Sequence, residues 1–72
     1  MNKREVKKIM ENVKRKEEKI VDIDIWDDMI WVLVSNEGIL WNYTINTKSG
    51  DIYKALVART HGDLYHWGNI EL

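Results

Sequence analysis

The spacing of apolar residues changes character once along this chain, near residue 20. Before that point Val6, Ile9, Met10 and Val13 recur at i, i+3, i+4 and i+7, the signature of a helix with one buried face. Asn2 stands where an N-cap belongs, and neither Gly nor Pro interrupts residues 3–19, so a helix is predicted over about 3–18. Its apolar stripe lapses after Val13, because Lys16 and Glu17 occupy the next positions of that face.

From residue 20 the period is two. Val21, Ile23 and Ile25 alternate with Asp22 and Asp24, as in a half-buried strand whose outward carboxylates discourage further pairing. Beyond it Gly38, Gly50 and Gly62 recur at twelve-residue intervals and close the polar loops Asn36-Glu37-Gly38, Lys48-Ser49-Gly50 and Thr60-His61-Gly62. A three-residue hairpin built on a type I turn wants Gly in its last, left-handed position. Strands are therefore predicted at about 20–26, 29–35, 39–47, 52–59 and 64–68.

With three-residue loops, positions of like parity share a face of the sheet. The odd set holds Met29, Trp31, Leu33, Trp41, Tyr43, Ile45, Tyr53, Ala55, Val57, Tyr65 and Trp67 and carries no charge, so it is expected to form the core under the helix. The even face mixes Asn42, Thr44, Lys54 and His66 with Ile30, Val32, Val34, Leu40, Ile52, Leu56 and Leu64.

Residues 51–61 also admit a helix, since Ala55, Leu56 and Ala58 favour one and Asp51 and Gly62 suit its ends. A strand is preferred because Ile52, Tyr53 and Val57 favour it and Lys48-Ser49-Gly50-Asp51 is hairpin chemistry. The predicted fold is α+β, with one N-terminal helix packed on a four- to five-stranded antiparallel meander; the alternative is αβββα with residues 51–61 helical.

Composition narrows this picture. Seventy-two residues allow a single domain, 1–72, with a thin core, and the absence of cysteine removes disulfides and thiolate metal sites. No segment approaches the roughly 18 apolar residues of a membrane span, so no membrane association and a cytoplasmic location are expected. Charge is divided unevenly: residues 1–20 hold eight Lys and Arg against four Glu, and residues 21–72 hold three basic against eight acidic residues.

Candidate chemistry is sparse. His61, Asp63 and His66 are of metal-ligating type, but they lack a fourth ligand and read more simply as loop-tip and outer-face residues. Asp22, Asp24, Asp27 and Asp28 fit a solvated strand face and a turn better than paired catalytic carboxylates. The glycines are evenly spaced rather than clustered before a helix, so no phosphate cradle is present. The sequence predicts no enzyme, no cofactor and no metal.

The functional expectation rests on the even face. A helix on the odd side leaves Ile30, Val32, Val34, Ile52, Leu56 and Leu64 in need of a second cover, with Trp26 beside its turn as an exposed anchor. This predicts a non-catalytic protein-binding module that docks on a protein partner or on itself as a homodimer. An inhibitor, adaptor or accessory protein of the kind encoded by phages and mobile elements fits that size and type. The alternative is a small nucleic-acid-binding protein that uses Arg4, Lys8, Arg15 and Lys19 along the basic helix.

Overall fold

The structure, a computed structural model, describes residues 1–57 and 64–70. Helix α1 (Lys3–Val13) is followed by strands β1 (Lys19–Trp26), β2 (Met29–Asn36), β3 (Ile39–Asn46), β4 (Asp51–Leu56) and β5 (Tyr65–Asn69). The strands form one antiparallel sheet in the order β1-β2-β3-β4-β5. This is the predicted α+β meander, and residues 51–56 are a strand rather than a helix. The rest of the 51–61 ambiguity falls mostly outside the described residues.

The face assignment is corrected by two loops. Asn36 pairs with Ile39, so the β2–β3 hairpin has a two-residue loop, Glu37-Gly38, in which both residues take positive φ, 51° and 81°. That is the turn whose twist matches paired strands, and Glu37 accepts the left-handed backbone it requires. Between β3 and β4 the ladder ends at Ile45–Ile52, and the Gly50 N–H donates to the Asn46 carbonyl across a longer loop. Asn46 Oδ1 accepts from the Lys48 and Ser49 N–H groups within it.

Each loop differs by one residue from the predicted length, and each one-residue slip turns a strand over. Strand β3 keeps its odd residues inward, while β2 and β4 turn their even residues to the same side. Ile30 thus pairs with Ile45, Val32 with Tyr43, and Tyr43 in turn with Lys54. The core contains Ile23, Ile30, Val32, Val34, Tyr43, Ile45 and Ile52 from the sheet, with Val6 and Met10 from the helix. Trp31 and Leu33, expected inside, line a shallow depression on the other face beside Asp22 and Asp24.

The helix is shorter than the predicted 3–18. Asn2 caps it as expected, its Oδ1 accepting the Glu5 N–H at 2.9 Å. At the other end Lys14 turns to extended backbone while its N–H still donates to the Met10 carbonyl. The Val13 carbonyl, one of the acceptors a helix end leaves without an internal donor, receives the Trp67 indole N–H at 2.8 Å. One side chain of β5 therefore ties the last strand to the end of the first element.

The β5 edge is fixed to the β3–β4 loop. The Ile70 N–H donates to the Gly50 carbonyl, and the Asn69 amide reaches the Ser49 carbonyl and Asp51 Oδ1. Gly50 is buried with φ 79°, and a Cβ there would lie 2.1 Å from the Ile70 carbonyl oxygen. At Gly38, with a similar φ, a Cβ meets nothing within 4 Å.

Two stability predictions follow from this register. Ile30→Ala should cost about 2–5 kcal/mol in equilibrium urea unfolding, against a clearly smaller loss for Leu33→Ala on the opposite face; the reverse order would put the helix on the other side of the sheet. Gly38→Ala should lose about 1–2 kcal/mol from left-handed strain alone, and Gly50→Ala should lose more because the strain is joined by a backbone clash. Equal losses at the two glycines would contradict the close approach of Ile70.

Candidate functional site

Strand β4 presents Ile52, Lys54 and Leu56 to the helix side, so its register carries one lysine into an otherwise apolar layer. Lys54 is 4% exposed, and a buried ammonium needs a partner. Glu18, 2% exposed, supplies it from residues 14–18, the segment that folds back after the helix ends. Lys54 Nζ lies 2.6 Å from Glu18 Oε2. The other carboxylate oxygen accepts the Tyr43 hydroxyl at 2.6 Å and the Arg15 N–H at 2.9 Å. No buried side-chain N or O among the described residues lacks a hydrogen-bond partner.

Burial by itself raises the pKa of the Glu18 carboxyl, but the bonds from Lys54, Tyr43 and the Arg15 backbone together outweigh it and hold the group below its ordinary value. Tyr43 moves the other way: burial, and then its bond to the carboxylate, push the phenol far above its usual range. Near neutral pH the phenol therefore keeps its proton and donates it to a charged Glu18.

Three rings surround the ammonium. Lys54 Nζ lies 4.4 Å from the centroid of Trp67 and 4.9 Å from those of Trp41 and Tyr43. Tyr43 and Trp67 meet edge to face, with centroids 5.8 Å apart. The Arg15 guanidinium lies 5.7 Å from the Trp67 centroid and forms no ion pair among the described residues.

This cluster is the inner wall of a cleft of about 420 Å³. Arg15, Glu37, Ile39 and Tyr65 contribute to its lining along with Trp41 and Trp67. Two of its lining residues are exposed apolar side chains, Ile39 at 52% and Tyr65 at 55%, and at the same end of the sheet Ile39 also meets Leu40 and Val57 on the opposite face. The cleft therefore joins aromatic rings, the Arg15 guanidinium and the exposed side chains of Ile39 and Tyr65.

The residues singled out from sequence are distributed differently. Ile30, Val32, Val34 and Ile52 are buried beneath the helix, so the contact surface expected of them is not exposed. Leu56 is half-buried opposite Trp41, and Leu64 is exposed just before β5. Trp26 is 74% exposed at the β1–β2 hairpin, the end of the sheet away from the cleft. Arg4 and Lys8 lie exposed on the helix, whereas Arg15 follows the helix end and Lys19 opens β1, so the four do not share one helical face.

Of the metal-type residues, His61 and Asp63 lie outside the described residues. His66 Nε2 is 3.1 Å from Asp51 Oδ1. That bond, with Asn69 and Ser49 adding to it, lowers the Asp51 pKa. Among the described residues no group of three or more side chains is placed to hold a metal ion.

Glu18 and Lys54 are the site residues that sequence reading missed. Their signal is a single lysine in the run Ile52-Lys54-Leu56, legible only once β4 is known to face its even residues inward. No protein-family model matches this chain, and comparison with curated proteins and with solved structures finds no significant match.

Acid should expose the pair. The folded state holds the Glu18 pKa below its unfolded value, so this contribution is complete above the ordinary carboxylate range and is lost as pH falls through the folded value. Glu18→Gln should cost about 3–5 kcal/mol near neutral pH by stranding Lys54, and should flatten the acid limb of the stability curve. The double variant Glu18→Gln with Lys54→Met should recover part of that loss. Urea unfolding between pH 3 and 7 checks both effects, and an unchanged acid limb in the single variant would remove Glu18 from the linkage.

Proposed function

We propose that this protein is a non-catalytic binding module for a protein partner, which docks on the cleft and the apolar rim beside it. The reading rests on one observation: exposed Ile39 and Tyr65 line a cleft walled by Trp41, Trp67 and Arg15, and from Ile39 the apolar surface continues to Leu40 and Val57 on the other face of the sheet. Trp, Tyr and Arg are the residues that most often carry binding energy at protein interfaces, and they do so where apolar neighbours exclude water.

The floor of the cleft suits recognition better than turnover. Glu18, Tyr43 and Lys54 satisfy one another, which fixes the walls and leaves the buried carboxylate and phenol committed. A rigid wall reduces the ordering cost that binding would otherwise incur. An inhibitor, adaptor or accessory protein has this requirement, whether its partner is another chain or a second copy.

The test compares Ile39→Asp with Tyr65→Asp, combined, against Val21→Asp on β1, each checked for an unchanged unfolding midpoint. Partner protein recovered from the source cells with the tagged chain, or self-association seen by sedimentation at micromolar concentration, should weaken at least about tenfold in the first variant only. Association that survives it and is lost in Trp26→Ala would move the contact to the opposite hairpin and end this reading.

A further inference from the structure

A buried lysine is satisfied by one carboxylate and hydrogen bonds; it does not require three aromatic rings. Around Lys54 the rings of Trp41, Tyr43 and Trp67 lie 4.4–4.9 Å from Nζ on one ammonium, with the Glu18 carboxylate 2.6 Å away. Ring faces carry negative potential and attract a cation without hydrogen-bonding to it, so several of them together suit a nitrogen whose protons are replaced by methyl groups. The carboxylate supplies the balancing charge. Cleft and cage are continuous, since Glu18, Trp41, Lys54 and Trp67 all line the opening that runs out to Arg15, Glu37 and Tyr65.

We propose that this cage is an alkylammonium-binding site whose resident occupant is the protein's own Lys54. The lysine stem enters from β4 and places its ammonium where the head of a free quaternary amine would sit. A ligand of that class approaches through the cleft and competes with the tethered cation, so the site is self-occluded in the native chain and opens when the lysine side chain is shortened. The inference stands on the cage alone and does not depend on the protein-binding reading, since the ligand is a small cation.

The probe is choline, compared with its neutral carbon isostere 3,3-dimethylbutan-1-ol, at constant ionic strength with sodium as the balancing ion. In Lys54→Ala, tryptophan fluorescence and titration calorimetry should show saturable choline binding in the millimolar range. This should be at least about tenfold tighter than to the wild-type chain or for the isostere, and weaker again when Trp41→Ala is added. Equal binding of choline and the isostere, choline binding no tighter in Lys54→Ala than in wild type, or no response beyond that of sodium would overturn the proposal.

If Lys54→Ala is unfolded, the same comparison is made on folding. Choline should restore a cooperative unfolding transition that the isostere and sodium do not, and restoration by all three or by none would overturn it.

Discussion

The carboxylate of Glu18 is the point on which the rest of this structure converges. It belongs to the segment that joins helix to sheet, yet its bonds reach Tyr43 on β3 and Lys54 on β4, and the rings around that lysine include Trp67 on β5. Trp67 then returns to the helix through the Val13 carbonyl. A closed circuit results, in which the helix end, two inner strands and an edge strand are held by directional bonds rather than by apolar contact alone. In a chain of 72 residues, whose core is one layer of side chains between a three-turn helix and a sheet, such directionality compensates for small buried area.

The same circuit divides the molecule into two ends. Near the β1–β2 hairpin and the β3–β4 loop, Thr47 bonds to the Asp28 carbonyl and Lys48 pairs with Asp28, a polar and well-tied arrangement with Trp26 beside it. At the other end the helix has finished, Glu18 fills the space beneath, and Trp41, Trp67 and Tyr65 are left without a full cover. The cleft thus arises from the early end of the helix. Had α1 continued beyond Val13 along its predicted course, its last turns would have extended past the point where Glu18 now turns in.

Element identity was legible in the sequence because it depends on period. The spacing of Val6, Met10 and Val13 specifies a helix, and the alternation around Ile23 and Ile45 specifies strands, whatever the loops do. The faces were less legible because they depend on counting. Glycine at 38 fits both a three-residue loop and a two-residue loop; the difference is whether Glu37 takes positive φ, and a glutamate gives no hint of that. One residue of error there exchanged Ile30, Val32 and Val34 for Trp31 and Leu33, and with them the predicted contact surface for the core. Glu18 was hidden for the same reason, since its burial follows from the inward position of Lys54.

That dependence also runs in reverse. An apolar strand is a poor judge of its own register, because β2 and β4 carry aliphatic or aromatic residues on both faces and either face can be buried at similar gain. Lys54 removes the degeneracy for β4. Slipped by one residue, the strand would turn Tyr53 inward and place the ammonium in water, which is tolerable for the lysine but leaves Glu18 buried against Tyr43 without a counter-charge. A buried ion pair adds little net stability over a well-packed apolar pair, yet breaking it by losing one member is costly. The interaction therefore acts less by deepening the native state than by penalising the nearest wrong one, and the aromatic cleft, whose walls depend on the same register, is specified along with it.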